Sequence, residues 1–188
     1  PEEMPVLIPI YKKASLPAQV SLLQLHTQPL DKLARWITDV VKVESPVHFE
    51  EVARRIADAN GVSKIGTRIR SSIIEAAEYA RHTDMIKVKG EFLWHPEMEV
   101  PYIRERSAFS INSKKIQFIA PEEIHIGIKK VVESSIAIQP EVAISLISKL
   151  FGFFRVTEDM KKYLLESIES AITRGVVIRE GEFLKVDK

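Results

Sequence analysis

Lys64, Arg68 and Arg70 fall within seven positions that hold no acidic residue, and Lys87 and Lys89 follow on a short apolar ribbon. Cations at this density bind polyanions, because each one set against a phosphate releases a condensed counterion. Five such contacts would give a log-log salt slope of about −4 to −5, a useful but modest affinity. Other chemistry is not spelled out. The turn Gly61-Val-Ser-Lys-Ile-Gly66 lacks the Gly-Lys-Ser/Thr ending of a nucleotide-binding loop, and Ser63 misses a Gly-x-Ser-x-Gly elbow by one position. His26, His48, His82, His95 and His125 lack the i,i+4 pairing that turns two imidazoles toward one metal, and each reads as a surface or partly packed side chain. Glu50-Glu51 and Glu122-Glu123 read as first-turn acids that complement a helix dipole. With no cysteine, disulfides and thiolate chemistry are excluded. No catalytic residue, cofactor or metal is expected, and the fragment itself is not expected to be an enzyme.

Cations act together only if the backbone holds them on one side. Ile65, Ile69, Ile73, Ala76, Ala77 and Ala80 recur at three- and four-residue intervals, which predicts an amphipathic helix with one buried stripe. Gly61 and Gly66 supply its opening turn, Ser63 or Thr67 its cap, and Arg81-His82 the cations favoured at its C-terminal end. Met85-Ile-Lys-Val-Lys89 and Glu91-Phe-Leu-Trp94, parted at Lys89-Gly90, predict a hairpin. Upstream, Leu30, Leu33, Ile37, Val40 and Val41 share a helical face that Pro46 ends. A shorter helix from about Phe49 turns Val52, Ala53, Ile56 and Ala57 inward and Arg54 and Arg55 outward. Helix, helix, helix, ribbon is the order of a winged helix, whose last helix meets base edges with its N-terminal part while neighbouring cations hold phosphates.

The pattern recurs. Gly90-Glu-Phe-Leu93 returns as Gly181-Glu-Phe-Leu184, a shift of 91, and the same shift carries Leu33, Ile37, Val40 and Val41 onto Ile124, Ile128, Val131 and Val132. Gly61 falls on Gly152, and Ile65, Ile69 and Ile73 fall on Val156, Met160 and Leu164. The expected fold is therefore α+β and mostly helical: two tandem winged-helix-like domains, each helix-helix-helix-hairpin, over 29–96 and 119–188. Residues 1–28, with Pro1, Pro5, Pro9 and Pro17, read as an extended N-terminal arm or linker, and 97–118 as a connecting segment. A chain of 188 residues that opens on Pro1 reads as a piece of a longer polypeptide. No run is apolar enough to cross a bilayer and no signal pattern opens the chain, so no membrane partner is expected and the location reads as cytoplasmic.

Charge weighs against broad polyanion binding. The net charge is +1, with eleven Lys/Arg against ten Asp/Glu over 29–96 and ten against eleven over 119–188. The plainer reading of the five cations is a solvated rim diluted by Glu75, Glu78 and Glu91. In the second copy Thr157-Glu158-Asp159 stand where the first has Gly66-Thr67-Arg68, so carboxylates would face phosphates there. That copy reads as a scaffold or docking module, with Phe151, Phe153 and Phe154 as core filler or a partner-binding patch.

Five stretches in order carry a resemblance: Ser45-Pro-Val-His-Phe-Glu-Glu-Val-Ala-Arg-Arg-Ile56, Gly66-Thr-Arg-Ile-Arg70, Gly90-Glu-Phe-Leu-Trp94, Val100-Pro-Tyr-Ile-Arg-Glu-Arg-Ser107 and Ile119-Ala-Pro-Glu-Glu-Ile124. They resemble the uncharacterised C-terminal domain of large bacterial and archaeal proteins that join a superfamily-one helicase to a very-short-patch-repair-type nuclease. The resemblance implies DNA processing, including defence against foreign DNA, with the helicase and nuclease domains of the parent chain as partners. It transfers no catalytic residue. The expected function is a non-catalytic accessory DNA-binding module of a larger helicase/nuclease protein, with Lys64, Arg68, Arg70, Lys87 and Lys89 as the DNA contacts. The alternative is a protein-protein interaction or scaffolding module that docks on the helicase or nuclease core or self-associates.

Overall fold

Pro29 and Pro46 bracket the first helix, α1 (Leu30–Glu44), which turns Leu33, Ile37, Val40 and Val41 inward and ends one residue short of the Ser45-Pro46 bond. The computed structural model describes residues 7–20 and 23–187. Residues 1–6, the start of the expected arm, and residues 21–22 lie outside the described residues. After α1 come β1 (Val47–His48), α2 (Phe49–Ala59), α3 (Thr67–His82), β2 (Lys87–Lys89) and β3 (Phe92–Trp94). Then follow α4 (Pro121–Glu133), α5 (Pro140–Leu150), α6 (Glu158–Thr173), β4 (Ile178–Glu180) and β5 (Phe183–Lys185). The fold is α+β, with six α-helices and two small antiparallel sheets among the described residues. None of these helices is long and apolar enough to cross a membrane.

The chain forms two compact units, Lys12–Glu99 and residues 7–11 with 100–187. In the first, α1, α2 and α3 bury Leu33, Ile37, Val52, Ile56, Ile73 and Ala80 against one another, and Val47 and Leu93 close the core from a sheet of order β1-β3-β2. Each fully buried aliphatic side chain contributes roughly 1.5–3 kcal/mol, so a few such residues outweigh any single surface contact. The second unit has its own core of Ile124, Ile128, Ile144, Ile147, Phe151, Leu164 and Ile168 under β4 and β5. Ile103 and Ile116, from the segment expected to be a connection, are buried in it. Tyr11 donates its N–H to Glu105 at 2.8 Å and Pro9 accepts from Glu105 at 2.9 Å, so residues 9–11 belong to the second unit as a short parallel pairing.

Element bounds repeat with a shift of 91. α2, α3, β2 and β3 map residue for residue onto α5, α6, β4 and β5, and the short 3-10 turn Leu25–Thr27 onto Ile116–Phe118. Even the pairing of Val47 with Leu93 recurs as an isolated bridge between Ile138 and Leu184. One position distinguishes the copies sharply. Gly61 (φ 66°) has open space around it, whereas a Cβ on Gly152 (φ 88°) would stand 2.5 Å from the Ser107 amide nitrogen and 3.0 Å from the Arg106 carbonyl carbon. Backbone cannot give way as a side chain can. Thermal unfolding is therefore expected to show a loss of roughly 2–3 kcal/mol for Gly152→Ala against about 1 kcal/mol for Gly61→Ala; equal losses would mean that the 106–107 backbone yields.

Two charge clusters lie inside these cores, where the sequence had promised solvent. Arg55, expected to point outward, is 8% exposed and donates to Glu44 at 2.8 and 2.9 Å and to Glu51 at 3.0 Å. In the second unit Arg104 and Arg106 converge on Glu123, which is fully buried.

Candidate nucleic-acid interface

α3 opens bare. Gly66 stands in its cap position in extended backbone, no side chain closes the first N–H groups, and no acid occupies the first turn. The unsatisfied N–H groups and the positive end of the helix dipole both favour an anion there. Lys64 and Arg68 flank this opening, are exposed, and have no ion-pair partner among the described residues.

The other three expected contacts are placed differently. Arg70 reaches back to α2, where its guanidinium meets both carboxylate oxygens of Glu50, Nη2 to Oε2 at 3.0 Å. The Arg70 hydrogen bond outweighs partial burial and holds the Glu50 carboxyl below its ordinary range. In return Glu50 raises the Arg70 guanidinium. Arg70 is thus a compensated cation that ties α3 to α2. Lys87 pairs across the hairpin with Trp94 and Lys89 with Phe92, while Val88 pairs with Leu93. Because strand side chains alternate, Val88 and Leu93 take the core side and both lysines the outer side of the sheet. The Lys89 ammonium lies 4.0 Å above the buried Trp94 ring. Of the five cations Arg70 is thus held by a carboxylate, Lys87 and Lys89 are exposed on the hairpin, and Lys64 and Arg68 form the pair at the helix opening.

Along the rest of α3 the charge reverses. A groove of about 220 Å³ runs between α2, α3 and the hairpin, floored by Phe49, Ile74, Val88 and Leu93 and bordered by Glu50, Glu78 and Glu91. A phosphate backbone would be repelled there. His48 stands beside it as the cap of α2, its Nδ1 accepting the Glu50 N–H at 3.1 Å and its Nε2 3.4 Å from Glu91. Burial pushes the His48 pKa down against the opposing pull of Glu91, so the ring stays neutral and serves the helix start. The order His48-Phe49-Glu50 ahead of an apolar helical stripe was the available signal for this cap.

The second unit closes the equivalent opening. The Thr157 hydroxyl accepts the Met160 N–H at 3.3 Å, and Glu158 and Asp159 fill the first turn of α6. Phe151 and Phe153 are core, and Phe154 alone of the three is exposed. No curated protein and no solved structure matches the chain. Residues 24–71, from the first 3-10 turn through the opening of α3 with Lys64 and Arg68, match the family model described as a protein of unknown function, DUF3320.

Proposed function

We propose that the chain is a non-catalytic DNA-binding accessory module of a larger helicase and nuclease protein, built as two tandem winged helices, with duplex DNA held at the opening of α3. The observation that carries this reading is the contrast between the copies: α3 begins uncapped, free of acid and flanked by Lys64 and Arg68, while α6 begins capped by Thr157 and acidic. An open, cationic helix N-terminus is what a phosphate or a base edge meets in helix-turn-helix recognition. The helix, strand, helix, helix, hairpin order and the β1-β3-β2 sheet support the winged-helix assignment for the first unit, and the shift of 91 extends it to the second. The helicase and nuclease context rests on the resemblance of the five stretches named above.

The test is a titration of the chain with short duplex DNA at several salt concentrations. Lys64→Ala with Arg68→Ala is expected to weaken binding at least tenfold at low salt and to reduce the log-log salt slope by about 2, one unit for each lost phosphate contact. An unchanged slope rejects the assignment. A second reading, protein docking, is favoured for the second unit by one feature: Val142 and Leu146, one turn apart on α5, are 51% and 39% exposed.

A further inference from the structure

Phe154 is 76% exposed in the turn between α5 and α6, while its neighbour Phe153 is 6% exposed and packed in the core. The fold therefore uses one of the two rings and leaves the other in solvent. Four cations accompany it. The Lys114 ammonium lies 5.6 Å from the Phe154 ring centroid and 5.7 Å from that of Phe153, and the Lys115 ammonium lies 5.2 Å from the Phe118 ring. Arg155 follows Phe154 directly and Lys149 stands in the last turn of α5, both exposed. None of the four has an ion-pair partner among the described residues. Neither 106–118 nor 149–157 contains a single Asp or Glu, and the adjacent Glu105 carboxylate accepts the Ser107 N–H at 2.6 Å.

We propose that this turn and the segment ahead of α4 form a contact for single-stranded nucleic acid, with a base stacked on Phe154 and its flanking phosphates on Lys114, Lys115, Lys149 and Arg155. Every base has a π-face, so an open ring binds without reading sequence, and a duplex hides those faces inside its own stack. The cations supply what stacking alone lacks: the Lys114 ammonium donates to the Ser107 carbonyl at 3.3 Å but meets no carboxylate among the described residues, so it and its neighbours can answer the phosphates beside a stacked base. Glu158 and Asp159 lie beyond the turn, in the first turn of α6. The contact uses residues and a strand form separate from those of the duplex site at α3.

Fluorescence anisotropy of the whole chain with a labelled oligothymidylate of about 12 nucleotides tests it. Phe154→Ala is expected to lose about tenfold in single-strand affinity while Phe154→Trp keeps it, because Trp restores the stacking face. Lys114→Ala with Lys115→Ala is expected to reduce the salt slope by about 1.4. A 5-iodouracil-substituted strand should crosslink at Phe154. The inference is overturned if the unaltered chain fails to bind the oligothymidylate, if Phe154→Ala binds within about twofold of it, or if Phe154→Ala weakens duplex binding as much as single-strand binding. The ring would then be an anchor for a protein partner. Duplex binding lost on Lys64 and Arg68 substitution would stand whatever the outcome here.

Discussion

Replacing Glu123 by alanine is expected to remove about 3–5 kcal/mol of stability, the usual loss when one partner of a buried ion cluster is deleted. Glu123 accepts the Arg104 backbone N–H at 3.0 Å, the Arg104 Nη2 at 2.7 Å and the Arg106 Nη2 at 2.9 Å. Both guanidiniums also lie against the Tyr11 ring, 4.4 and 4.8 Å from its centroid. Alanine would leave two arginines, 2% and 3% exposed, without the carboxylate they share. Urea denaturation followed by circular dichroism gives the loss directly. A change below about 1 kcal/mol would mean that the arginines swing out to water.

The same cluster sets an acid limit. Burial alone pushes the Glu123 carboxyl up, but Arg106 and Arg104 more than reverse it, and the group sits below its ordinary value of 4.5. A depressed folded value means that the contribution is complete above about 4.5 and is lost as pH falls through the lower, folded value. Glu123→Gln should accordingly flatten the acid side of the stability profile.

Arg55→Ala is expected to have a comparable effect, about 3–5 kcal/mol, on the first unit. Its guanidinium stands between Glu44, fully buried, and Glu51, 3% exposed, and Glu44 also accepts the Ala14 N–H at 2.8 Å. Removing the cation would set two carboxylates facing each other in the core and loosen the extended residues that Ala14 pins. Lysine should not rescue, because a single ammonium cannot reproduce the fork that meets both oxygens of Glu44 and one of Glu51. Denaturation that leaves Arg55→Lys equal to the unaltered chain would show that charge alone matters at this position.

At these two clusters residue type and spacing do not determine the outcome. Helix positions were legible because burial of Ile37, Ile56 and Ile73 follows from residue type and a 3.6-residue period, both local properties. The shift of 91 was legible for the same reason, since a repeated core must repeat its apolar positions. The helical period places Arg55 outward, and the structure buries it because its partner Glu44 sits 11 positions away on another helix. Glu123 is the first-turn acid of α4 that its position indicates, but its arginines stand 17 and 19 positions upstream in a segment without regular structure, so its burial and pairing were not legible. Arg70 looked like a phosphate contact until the fold brought Glu50 to it across 20 positions.

By itself the sequence determined two apolar cores in tandem, the number and order of their helices, and where Gly and Pro must break the chain. Tertiary structure decided which charges remain available to a ligand. Hydrophobic burial is non-directional and additive along a period, whereas the fate of a cation depends on whether a carboxylate lies within about 4 Å, a distance that only the folded chain defines. Among the described residues Lys64 and Arg68 emerge without an ion pair and Arg70 does not, although the three are indistinguishable as residues in a row.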